Sequence, residues 1–269
     1  IDNEQALDKP ARARALYIRS SACRLLGQHS LSLADAQTAA ALLDDNTARK
    51  DLLGDIYARI GHLFFDKGEF ARALTHLKKA KELFDRLFDL DKSSFASNTL
   101  GGVYKNLGDL EQASVYYEYA RQGFTKIGNH ANLSMVLSNV AYIQHKHGMQ
   151  EAVLQTLGQA RQNARSSGYL RIDSIIGLAY GEVYRDLGQY ERSLQEYNEA
   201  LDLARNSQEN NIVAYAKAGL GETYRAMDEP VKAAYWTREA LAQAKSEQQP
   251  YETALFKLQL GMILQAQGN

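Results

Sequence analysis

A phrase of about 40 residues recurs along almost the whole chain. It reads LGGVYKNLGDLEQASVYYEYARQGF from Leu100, YGEVYRDLGQYERSLQEYNEALDLA from Tyr180 and LGETYRAMDEPVKAAYWTREALAQA from Leu220. A glycine marks the phase of the phrase, and its equivalents are Gly27, Gly68, Gly108, Gly148, Gly188, Asp228 and Gly268. A chain that keeps one phase over so many steps is predicted to fold as an array of stacked units rather than around a single core.

Residues at other fixed distances from this marker are also of one kind. Seven residues before it the chain carries only small residues: Ser20, Gly61, Gly101, Ala141, Gly181, Gly221 and Gly261. Twelve residues after it alanine stands each time: Ala39, Ala80, Ala120, Ala160, Ala200 and Ala240. Small residues at one phase predict that two helices approach closely there, because a large side chain would push them apart.

The apolar residues within each unit follow helical spacing. Before Gly188 they are Ile176, Tyr180, Val183, Tyr184 and Leu187, and after it they are Tyr190, Leu194, Tyr197, Leu201 and Ala204. Apolar residues three and four positions apart indicate amphipathic helices. Because glycine adopts left-handed backbone angles without steric cost, each unit is predicted to be two helices joined by a tight turn at the marker.

The composition agrees with a helical chain and narrows its function. Only three prolines occur, Pro10, Pro230 and Pro250, and proline is the residue that helix interiors tolerate least. The net charge of −1 supplies no basic excess to neutralise phosphates, so direct nucleic-acid binding is not expected. No run approaches the roughly 18 apolar residues that a membrane span needs, so none is expected.

The pattern of a small residue, an aromatic, the marker glycine, an aromatic or leucine and then alanine resembles the tetratricopeptide repeat. It is seen in GEVYRDLGQYERSLQEYNEA, GHLFFDKGEFARALTHLKKA and GETYRAMDEPVKAAYWTREA, and it covers nearly the whole chain. The standard unit has about 34 residues, so these longer units imply a longer second helix or a longer link to the next unit. Units of this length are similar to those of MalT-like regulators, Rap-type peptide-sensing regulators and Pins-type adaptors.

The resemblance implies an all-α fold, a right-handed superhelical solenoid of antiparallel helix pairs. First helices would line its concave face and second helices its convex face. We expect a single array over residues 1–269, with about six units and a final single helix. The predicted units are 13–51, 52–91, 92–131, 132–171, 172–211, 212–251 and the incomplete 252–269.

The end of the sequence, LFKLQLGMILQAQGN, reads as a first helix without a second. It is apolar almost all round, whereas a terminal helix of an array needs a polar outer face. We therefore expect either that the natural chain continues or that helix 252–267 packs on a partner or on a second copy of the chain.

No catalytic or metal-binding motif is found in the sequence. It has no glycine-rich phosphate loop, no G-x-S-x-G and no H-E-x-x-H. His145 and His147, the closest histidine pair, are two residues apart on a helix and point to different faces. Cys23 stands at a core phase, where it is expected to be a buried apolar residue rather than a nucleophile. We expect no enzyme activity, metal or cofactor in this chain.

The resemblance places the exposed inner face of the first helices mainly on residues three, six and ten before the marker. The candidate partner-binding residues on this face are Arg24, Phe65, Lys105, Asn139, Tyr142, His145, Glu182, Arg185, Glu222 and Arg225. At three before the marker, four of the seven residues are arginine or lysine, and such a basic ladder could hold the carboxylates of an extended peptide. Alternatively, Arg185 pairs with Glu182 and Arg225 with Glu222 along their own helices.

Asn139 matches an asparagine with which peptide-binding relatives hold the backbone of their ligand. The residues at its phase in neighbouring units are Thr99, Ala179, Gly219 and Gln259, so the sequence carries no ladder of asparagines. The known mode of peptide binding therefore does not transfer residue by residue.

These observations favour a module that binds a protein or peptide in its concave groove, as the sensor or scaffold part of a larger regulatory protein. A partner with acidic residues would suit the basic ladder. One alternative is a small-molecule sensor of the MalT-like kind, with Phe65, Phe95 and Tyr142, near His62 and His145, lining the pocket. Another is a self-association module that uses helix 252–267.

Overall fold

A computed structural model describes residues 8–43 and 48–266, and within these ranges the chain forms thirteen α-helices and no strand. The odd-numbered helices, which we call first helices, are α1 (Lys9–Leu25), α3 (Lys50–Asp66), α5 (Leu90–Asn106), α7 (His130–Lys146), α9 (Leu170–Asp186), α11 (Asn210–Ala226) and α13 (Pro250–Ala266). The even-numbered, second helices are α2 (His29–Leu42), α4 (Phe70–Arg86), α6 (Leu110–Ile127), α8 (Gln150–Ser167), α10 (Tyr190–Asn206) and α12 (Pro230–Ser246). The prediction of an all-α chain of helix pairs is confirmed.

The chain divides into two compact units, Ile1–Asn129 with helices α1–α6 and His130–Asn269 with helices α7–α13. In each unit a first helix packs most extensively on the second helix that follows it, and then on the next pair. Neighbouring first helices also touch, α3 on α5 in one unit and α7 on α9 on α11 in the other. Among the described helices, none combines the length and the apolar character that crossing a bilayer would require.

The marker residues end the first helices as predicted. Gly27, Gly68, Gly108, Gly148 and Gly188 have φ between 71° and 80°, and Asp228 has φ 59°. At Gly68 the turn closes with two backbone bonds, from the Gly68 N–H to the Phe65 carbonyl and from the Glu69 N–H to the Phe64 carbonyl, both 2.9 Å. This is the arrangement that satisfies the last carbonyls of a helix. The seventh marker, Gly268, lies outside the described residues.

The turns after the second helices have the same left-handed residue. It is Phe88, Gly128, Gly168, Gln208 or Gln248, and each stands midway between two markers. The repeat thus consists of two similar halves of helix and turn. Only residues 87–89 separate α4 from α5, and residues 207–209 separate α10 from α11. The residues beyond the standard unit length therefore lengthen the helices rather than the links.

The small residues of the first helices make room for a large side chain of the second helix. A Cβ on Gly61 would lie 2.5 Å from Cγ of Leu77, and a Cβ on Gly101 would lie 2.6 Å from the ring of Tyr117. Leu77 and Tyr117 are completely buried. Each such side chain stands three residues before the invariant alanine, so the close approach predicted from the sequence is found one helical turn away from that alanine.

Phe88 occupies a left-handed turn position although it has a bulky side chain. Its φ is 56° and its side chain is 93% exposed, so no packing compensates the strained backbone. Because glycine adopts this conformation freely, Phe88→Gly is expected to raise the free energy of unfolding by about 1 kcal/mol. Urea unfolding followed by circular dichroism measures this change.

The matched control for this prediction is Leu87→Gly, at an adjacent residue with φ −86°. Glycine gains nothing there and adds freedom to the unfolded chain, so that variant should not be stabilised. If the two variants change stability equally, the strain assigned to Phe88 is absent.

Candidate functional site

The first helices of the first unit enclose a cavity of about 440 Å³. Its lining comes almost entirely from α1, α3 and α5, with one ring from α4. The lining residues are Tyr17, Arg24, Asp55, Ala58, Arg59, His62, Asp66, Phe84, Asp91, Lys92, Phe95 and Ala96. We call this cavity the α1–α3–α5 pocket, and its volume suits a few side chains of a peptide or one small molecule.

Arg59 is the central polar group of the pocket. Its guanidinium donates a hydrogen bond of 3.1 Å to Oγ of Ser21 and lies 5.8 Å from the centre of the Tyr17 ring. Nε of Arg59 is buried and has no hydrogen-bond partner among the described residues. A buried donor without an acceptor is costly, so this side chain is suited to a ligand that brings an oxygen.

The charges of the pocket lining balance. Lys92 is held by Asp55 at 2.7 Å, and both side chains are partly exposed. Arg24 and Arg59 are matched in number by Asp66 and Asp91. The pocket therefore has no large field of one sign, and a ligand would be selected by the positions of the groups.

His62 and Phe95 form the aromatic side of the pocket. Their ring centres are 5.5 Å apart, and Nε2 of His62 lies 3.4 Å from Oγ1 of Thr99. Burial, with a smaller contribution from the positive charges of Arg59 and Arg24, lowers the pKa of His62 from 6.5 to about 4. His62 is thus neutral at pH 7, and its ring belongs to the apolar surface of the pocket.

The lowered pKa of His62 predicts a loss of stability in acid. The unfolded chain takes up this proton near pH 6.5 and the folded chain only near pH 4. His62 therefore costs no stability above about pH 7, and between about pH 6.5 and pH 4 it lowers the free energy of unfolding by about 3 kcal/mol. Urea unfolding at pH 7 and pH 4.5 should show a larger acid loss in the parent than in His62→Asn. Equal losses in the two proteins would contradict a buried neutral His62.

The predicted site residues of the first unit are only partly brought together. Arg24 lines the α1–α3–α5 pocket, whereas Phe65 and Lys105 lie outside its lining. Phe65 packs on Phe70, with ring centres 6.1 Å apart. Lys105 is half-buried, and burial lowers the pKa of its amine.

In the second unit the predicted basic ladder is paired with acids. Arg225 contacts Glu222 at 2.7 Å, which is one of the two pairs considered from the sequence. Arg185 contacts its neighbour Asp186 at 3.0 Å instead of Glu182. These residues together carry more negative than positive charge, so this face offers a carboxylate less than the ladder alone indicates.

The remaining predicted residues of the second unit lie on α7 and α9. Tyr142 is 40% exposed, and the amine of Lys146 lies 5.3 Å from the centre of its ring. Asn139 is partly buried. His145 faces two carboxylates, with Nε2 at 3.2 Å from Asp186 and 3.8 Å from Glu182.

The sequence reasoning missed Asp55, Arg59 and Lys92 in the pocket. Asp55 and Arg59 precede the marker Gly68 by 13 and 9 residues, one helical turn beyond the positions that were considered. Phe95 precedes Gly108 by the same 13 residues. Extending the inner face by a turn would have found them, because residues three or four apart share a helix face.

Known proteins resemble this chain in its repeats and its fold. Family models described as tetratricopeptide repeat match residues 54–86, 96–120 and 173–246. Regulatory protein RapG of Bacillus subtilis is 24% identical over 119 residues, which cover 43% of this chain and 33% of RapG. The chain spans a third or less of the length of the curated relatives that it matches.

Two solved structures show the same fold over most of the chain. The apo form of RapI superposes with a TM-score of 0.76 and 16% identity, covering 91% of this chain and 88% of that one. The Rap conjugation gene regulator of the plasmid pLS20, solved in complex with the Phr* peptide, has a TM-score of 0.63 and 12% identity, covering 94% of this chain and 73% of that one. Both likenesses concern the solenoid of helix pairs.

Proposed function

We propose that this chain, an array of tetratricopeptide repeats, binds a peptide segment of a partner protein on its first helices. The α1–α3–α5 pocket is the centre of the proposed site. The array is the sensor or scaffold part of a larger regulatory protein, and the partner is the signal or the protein that it regulates. One solved protein of this fold contains a bound peptide, which supports this class of ligand.

The observation that carries the proposal is the buried, unpartnered Nε of Arg59 beside an aromatic surface. A peptide carbonyl or a carboxylate supplies the acceptor that Nε lacks, since guanidinium groups bind such oxygens well. An apolar side chain of the same peptide would lie on Phe95 and Tyr17. The balanced charges of the lining favour a peptide of mixed composition over a strongly acidic one.

The first test is a selection from a library of random peptides displayed on phage, with the full chain immobilised. Peptides that bind should lose at least about tenfold in affinity to Arg59→Gln and to Phe95→Ala, which corresponds to about 1.4 kcal/mol for each. The matched control is Arg86→Gln, an exposed arginine on α4 whose partner is Glu82. Its affinity should equal that of the parent chain.

The ladder predicted in the second unit is tested with the same peptides and the double variant Arg185→Glu, Arg225→Glu. If that variant loses binding while Arg59→Gln and Phe95→Ala keep it, the ligand lies on the second unit and the pocket is not the site. If the selection yields no peptide, the proposal of peptide binding fails.

The size of the α1–α3–α5 pocket favours a second candidate, a small-molecule sensor. A cavity of about 440 Å³ lies in the range of small-ligand sites. Of the residues expected to line it, the structure brings Phe95 and His62 together, while Phe65 lies outside the lining. A screen of metabolites by thermal unfolding tests this candidate, because a ligand of the folded state raises the apparent stability.

Self-association through the last helix is the third candidate. On α13, Leu258 is 64% and Met262 51% exposed, although Phe256 and Ile263 are buried against the rest of the unit. Light scattering coupled to size exclusion should then give a dimer for the parent and a monomer for Leu258→Glu, Met262→Glu. A monomeric parent at all concentrations would remove this candidate.

A further inference from the structure

Three potential metal ligands meet on the first helices of the second unit. His145 comes from α7, and Glu182 and Asp186 come from α9. One ligand atom from each lies within 4.8 Å of the other two. Nε2 of His145 lies 3.2 Å from Oδ2 of Asp186 and 3.8 Å from Oε1 of Glu182.

The two helices hold this arrangement in place. Glu182 and Asp186 are four residues apart on α9, so their carboxylates share one helix face. The side chain of His145 is only 11% exposed, which restricts its imidazole to one direction. The carboxylates are 44% and 38% exposed, so an ion from solvent can reach them.

The spacing of these atoms suits a small divalent ion. Zinc binds histidine nitrogen and carboxylate oxygen at about 2.0–2.2 Å in tetrahedral geometry, which puts neighbouring ligand atoms about 3.4 Å apart. The two nitrogen–oxygen distances lie on either side of that value. We propose that His145, Glu182 and Asp186 form a binding site for a divalent transition-metal ion, with zinc as the best match.

The charges next to the cluster are compatible with a cation. Arg185 donates to Oδ1 of Asp186 at 3.0 Å, whereas Oδ2 faces the imidazole. The arginine thus orients the carboxylate and leaves one of its oxygens for the ion. Two carboxylates and one guanidinium leave a net charge of −1 around the neutral imidazole.

The donor set also predicts which ions bind. An imidazole nitrogen with two carboxylate oxygens suits zinc, whereas magnesium prefers octahedral oxygen ligands and keeps its water. Three protein ligands leave the fourth tetrahedral position open to water or to a group of a partner. The proton and the metal compete for Nε2, so zinc binding weakens as the pH falls.

Isothermal titration of the full chain with zinc chloride, and separately with magnesium chloride, tests the site. We expect one zinc per chain and no magnesium, and a loss of zinc affinity of at least about tenfold in His145→Gln and in Glu182→Gln. The matched control is His147→Gln, which removes an exposed histidine from the same region of the chain and should leave zinc affinity unchanged. Circular dichroism of each variant confirms that its helices are intact.

Two results would overturn the proposal. The first is a parent chain that takes up no zinc at about 100 µM, a concentration that detects even weak sites. The second is zinc binding that survives in His145→Gln and Glu182→Gln as well as in His147→Gln, because the ion then lies elsewhere on the chain.

Discussion

Gly181→Ala is expected to destabilise the second unit, although alanine is the better helix former. A Cβ at this position would lie 2.7 Å from ring carbons of Tyr197, which is 4% exposed. The ring has no space to retreat, because it also lies against Gly219 of α11. Overpacking of this kind costs about 1–3 kcal/mol, more than the gain of about 1 kcal/mol from helix propensity.

The same contact predicts a reversal of sign in a double-mutant cycle. Tyr197→Ala alone should lower the free energy of unfolding by about 3–5 kcal/mol, because it empties a buried aromatic site. In that background Gly181→Ala meets no ring and should raise stability by up to about 1 kcal/mol. Urea unfolding of the four proteins measures the coupling between the two positions.

Gly261→Ala is the matched control, because nothing lies within 4 Å of a Cβ built there. It should be stabilising in the parent chain. If Gly181→Ala and Gly261→Ala have the same sign in the parent, the ring of Tyr197 is not what requires a glycine at position 181.

The second large effect is expected at Asp173, the buried acid of an ion network between α8, α9 and α10. The carboxylate is about 4% exposed and accepts hydrogen bonds from Nε of Arg161 at 3.2 Å and from Nε of Arg165 at 2.8 Å. Arg161 also binds Glu196 and lies 4.5 Å from the centre of the Tyr180 ring. Asp173→Asn leaves two guanidinium groups facing a neutral amide in a buried setting, with an expected loss of about 2–4 kcal/mol.

The control for Asp173 is Asp202→Asn. Asp202 is 74% exposed and lies 3.7 Å from Arg205, so the loss of this surface pair should cost less than about 1 kcal/mol. Urea unfolding of both variants gives the comparison. Losses of similar size would mean that the network around Asp173 is not more important to stability than a surface pair.

The helix pairs and the first turn of each unit could be predicted because glycine marks them. The second turns could not be predicted in the same way, because Phe88, Gln208 and Gln248 stand where the conformation would favour glycine. In these turns the packing of the helices on both sides fixes a backbone angle that the residue itself disfavours. No local pattern records that constraint.

The site was predictable as a face and not as a set of contacts. Repeat phase placed Arg24 and His62 on the first helices, and both line the pocket. The partner of Arg185 could not be read from spacing, because adjacent residues on a helix do not normally face each other. Its bond to Asp186 depends on side-chain directions that only the assembled helices define.

The short turns and the packing of consecutive helices have a consequence for how the chain folds. In each unit the principal contacts join helices that follow one another in the sequence. Loop closure then costs little entropy, and any helix pair can act as the nucleus from which order spreads to its neighbours. Folding of this kind is rapid for the length of chain involved, and it remains possible when units are gained or lost in evolution.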